Sequence, residues 1–193
     1  MTNFLKAMLT TAVVMFGLSS GANAQDDEMI LKMKNAIRPA ADMITGGQPA
    51  KEDFQVFKQE GVKTVISLRG ENESIPFDEA AEAKKNGMNF VNIPIESADD
   101  LTLENAKKLS GVLGDVKDGK AVLHCGSGNR VGALMAVKAY ALDGKSEAEA
   151  MAIGQEYGMG SLADALPAIL AKMPTEKLMS KMPKMPKLPK LPN

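Results

Sequence analysis

Apolar runs of strand length alternate with helix-like segments along most of the chain. Four runs are short, apolar and bounded by turn-forming or charged residues, which predicts buried strands at 43–45, 62–68, 90–95 and 121–123. Helical spacing with start and stop residues predicts helices at 49–60, 77–85, 103–113, 131–142, 146–158 and 161–173, the last one broken at Pro167. A weaker pattern predicts one more helix over residues 30–37.

This order of elements predicts an α/β fold with a mostly parallel central sheet that is flanked by helices on both faces. In such sheets, ligands bind beyond the carboxyl ends of the strands. The chemistry-bearing residues that the sequence brings to this edge are Arg69, Glu71, Glu73, Glu96, Asp99, Asp100 and Cys125. We therefore expect the functional site at this edge.

One stretch, residues 121–132, contains the only cysteine and the only histidine of the chain. A predicted strand runs into a glycine-bearing loop, and the loop runs into a helix. Gly126 and Gly128 allow backbone amides to turn inward, and the helix N-terminus adds partial positive charge, so the loop should bind an oxyanion. Arg130 adds a planar fork of donors that suits phosphate or sulfate oxygens. The same groups favour the thiolate form of Cys125, which is the nucleophile.

The neighbouring His124 is not expected to be the base. Adjacent residues of a strand point to opposite faces, so its imidazole should turn away from the thiolate and support the loop through hydrogen bonds. A lone cysteine is more often a small buried apolar residue, and Gly-x-Gly alone is a weak motif. We favour the chemical interpretation because the cysteine, the two glycines and the arginine occur together where a strand meets a helix.

These motifs carry a family resemblance. The sequence resembles the bacterial phosphatase-like family related to dual-specificity and tyrosine phosphatases, a domain often fused to beta-lactamase-like hydrolases. The resemblance covers most of residues 44–162 and rests on Gly47-Gln48-Pro49, on residues 65–69 with Glu73, and on the His124-Cys125 loop. It implies a tyrosine-phosphatase-like α/β fold, a Cys125 nucleophile and an Arg130 oxyanion clamp, acting on a small anionic or phosphorylated substrate.

The remaining site residues follow from that chemistry. A phosphatase needs an acid to protonate the leaving alkoxide, and Asp100 is the first candidate, followed by Asp99 and Glu96. Acidic residues before a helix more often serve as caps. Arg69 either contacts the substrate or pairs with Glu73 to hold the loop. The loop residues expected to bind the substrate are Gly126, Ser127, Gly128 and Asn129.

Two departures from the tyrosine phosphatase pattern leave other functions open. Four residues separate Cys125 from Arg130 where those enzymes have five, and Val131 replaces the hydroxyl residue after their arginine. The shorter loop is similar to that of rhodanese sulfurtransferases, which would make Cys125 a persulfide carrier. A third alternative is a module that binds an anion or a phosphorylated partner without turnover.

The two ends of the chain differ from its middle. Residues 1–24 read as a signal peptide, so we expect a periplasmic or secreted protein with a lead-in at 25–41 and a catalytic domain at 42–173.

The tail, residues 174–193, carries five lysines and one glutamate and repeats Lys-Met-Pro and then Lys-Leu-Pro. It is a candidate for contact with an anionic membrane surface, with cell-wall polymers or with the acidic body of the protein itself. The acidic remainder argues against nucleic acid as a partner, and we expect no metal or cofactor.

Overall fold

The computed structural model describes residues 30–116 and 119–173. The predicted signal peptide at 1–24, the first part of the lead-in and the tail at 174–193 lie outside the described residues. Within them, no helix is long and apolar enough to cross a membrane.

A five-stranded sheet forms the centre of the fold. Its strands in chain order are β1 (Ile37–Ala40), β2 (Met43–Gly46), β3 (Val62–Ser67), β4 (Asn89–Asn92) and β5 (Lys120–His124). In space their order is β1-β2-β5-β3-β4, and only β1 runs antiparallel to its neighbour. The predicted mostly parallel sheet is therefore confirmed, and β5, which leads to Cys125, lies in its middle.

Helices cover both faces of this sheet. They are α1 (Asp53–Gln59), α2 (Glu79–Lys85), α3 (Leu103–Asp115), α4 (Asn129–Ala141), α5 (Glu147–Glu156) and α6 (Leu166–Leu170), with 3₁₀ turns at Ala98–Asp100 and Ser161–Ala163. Successive strand residues point to opposite faces, so Ile66 and Leu123 pack in the cluster with α3 to α6, whereas Val65 and Val122 pack in the cluster with α1. Both faces of the sheet are thus buried.

Helix α4 is the most deeply buried of these helices. Every residue from Val131 to Val137 is buried, as the nearly continuous apolar run predicts. The helix begins at Asn129, two residues earlier than predicted, because Gly128 at φ 97° turns the chain directly into it. The following helix, α5, begins at a capping box in which the side chains of Ser146 and Glu149 each bond the other's backbone amide, as predicted.

The lead-in differs from the prediction. The helix predicted over residues 30–37 is wrong, because this segment bonds to other parts of the fold instead of to itself. The amide of Lys32 donates to a carboxylate oxygen of buried Asp53 at 2.6 Å, and the carbonyl of Lys34 accepts from Gly47 at 2.7 Å. The chain then forms β1, so the sheet begins inside the segment that the sequence assigns to the lead-in.

The last predicted helix is also shorter than expected. Residues 161–173 form a 3₁₀ turn followed by α6, which has Pro167 in its first turn. Proline lacks an amide hydrogen and is tolerated only at a helix start, so the helix begins again at this position.

Candidate active site

The loop after β5 holds Cys125 at the carboxyl edge of the sheet. The register places Gly46, Ser67 and His124 side by side at the ends of three parallel strands. The thiol has no exposed surface, and its sulfur accepts a hydrogen bond from the amide of Gly128 at 3.1 Å. That amide is at the N-terminus of α4, where the helix dipole favours negative charge. The sulfur therefore lies where an anion is stabilised.

Arg130 closes the loop over this sulfur. Its Nη1 donates to the carboxylate of Glu73 at 2.5 Å and to the carbonyl of Ile95 at 2.7 Å, while its Nη2 donates to the other oxygen of Glu73 at 2.8 Å. The hydrogen bond to Glu73 is the main cause that raises the pKa of Arg130 despite its burial, and the negative charge of Glu73 adds to it. The guanidinium is a fixed positive charge beside the cysteine.

Glu73 holds two arginines at once. The hydrogen bonds from Arg130 are the main cause that lowers the pKa of Glu73 to about 2, with further contributions from the amide of Gly70 and from Arg69. The Nε of Arg69 lies 2.7 Å from the second oxygen of Glu73, an ion pair without the alignment of a hydrogen bond. Glu73 is thus ionised at neutral pH.

Each nitrogen of the Arg69 guanidinium contacts another protein group. Beyond its contact with Glu73, it donates to the side-chain oxygen of Gln48 at 3.0 Å and to the carbonyl of Ser74 at 2.8 Å. These bonds support the alternative in which Arg69 holds the loop. Its guanidinium is nevertheless close to the anion loop, since a Cβ at Gly126 would lie 3.9 Å from Nη1 of Arg69 and 3.4 Å from Nη2 of Arg130.

Gln48 links these arginines to a second buried pair. Its amide nitrogen donates to Glu79 at 2.7 Å, and the same oxygen of Glu79 lies 3.2 Å from Nε2 of His124. Burial alone would raise the pKa of Glu79, but contact with His124 and Gln48 and the charge of Arg69 outweigh it and lower that pKa. His124 contacts α2 in this way, on the side of β5 that lies away from the sulfur. A continuous polar chain therefore runs from Arg130 to the residue preceding Cys125.

Two of the loop's predicted binding residues, Asn129 and Ser127, make contacts with other parts of the fold. The side-chain oxygen of Asn129 accepts from the amides of Gly160 at 2.8 Å and Leu162 at 3.2 Å, which fixes the loop to the 3₁₀ turn after α5. The carbonyl of Ser127 accepts from the side chain of Asn35 at 3.0 Å. The side chain of Asn129 is therefore engaged by the fold, whereas Ser127 is held through its backbone carbonyl.

The predicted acids lie on the loop between β4 and α3. The carboxylate of Asp100 accepts from the amides of Glu96 and Ser97, both at 2.9 Å, and so forms a capping box for the 3₁₀ turn. Asp99 is exposed on the same turn. Glu96 is also exposed, and its side chain packs on Gly70, where an added Cβ would lie 2.6 Å from Cγ of Glu96. Of the three, Glu96 is the one that packs on the segment joining Arg69 to Glu73.

Sequence reasoning did not identify Glu79 and Asn35. Glu79 is in the first turn of α2, where an acidic residue normally interacts with the helix dipole. No local sequence pattern shows that it is buried against His124. Asn35 has φ 53°, a conformation that asparagine tolerates and that stops a helix here. Among the described residues, no group of His, Cys, Asp and Glu could hold a metal ion.

Solved structures of other proteins superpose on this fold. A candidate phosphatase of Shewanella putrefaciens CN-32, from the DUF442 group, superposes with a TM-score of 0.56 at 19% identity, covering 78% of this chain and 92% of that one. A candidate phosphatase of Neisseria meningitidis z2491 gives 0.57 at 18% identity, covering 69% and 96%. PTPMT1 gives 0.54 at 19% identity, covering 75% and 96%.

These structures share the tyrosine-phosphatase-like fold with this chain. No curated protein matches the sequence. The profile of one protein family matches residues 22–165, which include every element of the sheet and the whole Cys125 loop. The chain therefore belongs to the family described as DSP-PTPase phosphatase fused to NAD+ kinase.

Proposed function

We propose that the protein hydrolyses phosphate monoesters through a covalent intermediate on Cys125. The thiolate attacks phosphorus, the bond from phosphorus to the leaving oxygen breaks, and that oxygen takes a proton from an acid. Water then attacks the phosphocysteine and gives a proton to the ionised acid; the phosphorus–sulfur bond breaks, which releases inorganic phosphate and restores both the thiolate and the acid. The loop amides and Arg130 hold the non-bridging phosphoryl oxygens in both steps.

The hydrogen bond from the amide of Gly128 to the sulfur of Cys125 carries this proposal. The bond supports it because the N-terminus of α4 faces the sulfur, a position in which a helix would stabilise a thiolate and offer amide donors to an attached phosphoryl group. Arg130 is anchored beside it by both oxygens of Glu73, so its orientation is set before a substrate arrives. Because the thiol is fully buried, this proposal requires a local rearrangement of the site when a substrate binds.

The proton donor in this proposal is Asp100 or Glu96. The carboxylate of Asp100 is engaged by the backbone amides of its own turn, whereas Glu96 extends over Gly70 beside the loop. An acid matters more for a poor leaving group than for a good one. Glu96→Gln and Asp100→Asn should therefore be compared on phenyl phosphate and on p-nitrophenyl phosphate. The variant that slows only phenyl phosphate identifies the acid.

The central test is turnover of an aryl phosphate by the purified chain and by Cys125→Ser. We expect activity in the wild type and its loss in the variant, with a phosphorylated cysteine trapped by acid quenching during turnover. Activity that survives Cys125→Ser contradicts the proposal. The four-residue spacing from Cys125 to Arg130 makes sulfur transfer the second candidate, and a persulfide on Cys125 after thiosulfate, without phosphate release, would favour it. Anion binding without either reaction would indicate a binding module.

We also propose that the protein works outside the cytoplasm, in the periplasm or after secretion. The pattern of residues 1–24 supports this: a lysine, an apolar run and an Ala-Asn-Ala cleavage site. Expression of the full chain in a bacterium, followed by fractionation and N-terminal sequencing, tests it. A cleaved product in the periplasmic fraction agrees with the proposal, and an intact cytoplasmic chain contradicts it.

A further inference from the structure

A small apolar groove lies beside the loop that carries the candidate acids. Its volume is about 270 Å³. Its wall combines the 3₁₀ turn and the start of α3 with the chain just after α6, and its lining residues include Ala98, Leu101, Leu103, Ile169 and Met173. Small-molecule sites are usually larger than this, so the groove is better suited to a few apolar side chains of a peptide.

The chain itself supplies such a peptide at this place. Met173 lines the groove and is the last residue that the structure describes, so residues 174–193 begin at the groove wall. The seven residues 174–180 span up to about 25 Å when extended, which is enough to turn back over the groove. Residues 181–192 then repeat a lysine, an apolar residue and a proline four times. With three residues per turn, a polyproline II segment would place all its Met and Leu side chains along one edge.

The charge around the groove also favours the lysine-bearing tail as its occupant. Between residues 86 and 106 the sequence contains no lysine or arginine, and its charged residues are Glu96, Asp99, Asp100 and Glu104. Asp99 lines the groove itself, and Lys172 is the one cation among its lining residues. A segment with a lysine at every third position can therefore place cations along an acidic edge while its apolar side chains enter the groove.

We propose that residues 181–192 dock in this groove of their own chain. One or two of the Met and Leu side chains occupy the apolar wall formed by Leu101, Leu103, Ile169 and Met173, and the lysines beside them contact Asp99 and its acidic neighbours. This inference rests on the groove and the tail sequence and not on the proposed phosphatase activity. It places the tail next to the turn that holds Asp100.

Nitroxide labelling of the full chain tests the proposal. In a Cys125→Ser background, Asn193→Cys provides a single thiol directly after the repeat and leaves all its lysines in place. We expect the nitroxide to broaden the amide NMR signals of residues 98–103 and 169–173. The signals around the cavity lined by Asp42, Ser110 and Tyr157, at the amino edge of the sheet, should stay sharp. Broadening elsewhere, or none, overturns the proposal and leaves the tail for a membrane or the cell wall.

Two controls separate this contact from a general charge effect. Asp99→Lys should weaken docking by about threefold, whereas Glu52→Lys, the same charge change at an exposed site before α1, should leave it unchanged. Equal effects of the two variants contradict the proposal. Docking between molecules is detected in a mixture of two chains, one that carries the nitroxide without isotope enrichment and one that is isotope-enriched without the nitroxide. Broadening in that mixture as strong as within one chain also overturns the proposal.

Discussion

Both oxygens of Glu73 bond the guanidinium of Arg130, at 2.5 Å and 2.8 Å, although the two residues are 57 positions apart in the chain. Two parallel hydrogen bonds to the planar guanidinium fix both its position and its orientation. The arginine beside Cys125 is therefore held by the segment after β3, and the geometry of the anion loop depends on a residue outside it. Glu73 is accordingly a positioning residue for Arg130.

Replacing Glu73 with glutamine should lower kcat/KM for an aryl phosphate by about 100-fold, because Arg130 loses its fixed orientation over the phosphoryl group. The loss should fall mainly on kcat, since the charge of Arg130 that attracts the substrate remains. Steady-state kinetics measures both values. Glu71→Gln removes an exposed carboxylate two positions away and should have little effect. An unchanged kcat in Glu73→Gln contradicts the positioning role.

The stability that Glu73 provides should depend on pH in a defined window. Its pKa falls from an ordinary value of 4.5 to about 2 in the folded chain, chiefly through the hydrogen bonds from Arg130. A lowered folded-state pKa stabilises the fold above about pH 4.5, and this stabilisation is lost as the pH falls towards 2. The difference in free energy of unfolding between the wild type and Glu73→Gln should therefore shrink over this range. Urea denaturation at several pH values measures it, and a constant difference would contradict the assignment.

Glu79 should contribute strongly to stability. Its side chain is 2% exposed and lies between His124 and Gln48. Glu79→Ala leaves these polar groups buried without their partner, which should cost about 3 kcal/mol of unfolding free energy. Glu104→Ala removes a carboxylate that is 78% exposed and should change stability by less than about 0.5 kcal/mol. Urea denaturation measures the unfolding free energy of both variants. Similar losses in the two would show that burial of Glu79 against His124 is not the cause of the loss.

The close packing of α4 against the end of α5 depends on a glycine. A Cβ at Gly132 would lie 2.2 Å from the carbonyl oxygen of Gly154 and 2.2 Å from the amide nitrogen of Met159, and both are backbone atoms. Gly132→Ala should therefore destabilise the fold by about 3 kcal/mol. The same substitution at Gly111, in α3, meets no atom within 4 Å and should stabilise the fold by about 0.5 kcal/mol. Thermal unfolding of the two variants compares them directly.

Local patterns predicted most of the fold. The strands at β2, β3 and β5, the burial of α4 and the capping box at Ser146 follow from apolar periodicity and from residues near each other in sequence. The helix predicted over 30–37 failed because its backbone groups bond to Asp53 and Gly47, which no local pattern reveals. The end of β4 was misplaced for the same reason, since long-range bonds set where the strand stops, whereas the last helix begins again at Pro167, where the sequence predicted a break.

The sequence by itself determined the class of the fold, the strand-to-helix position of Cys125 and the presence of Arg130 five residues after it. Each of these depends on periodicity or on spacing within one short stretch. Tertiary structure decided which partner each charged group has: Glu73 with Arg130, Glu79 with His124, and Asp100 with its own turn. Such pairs form because the register of parallel strands brings distant loops to one edge of the sheet, and burial there leaves each charge only the partners that packing provides.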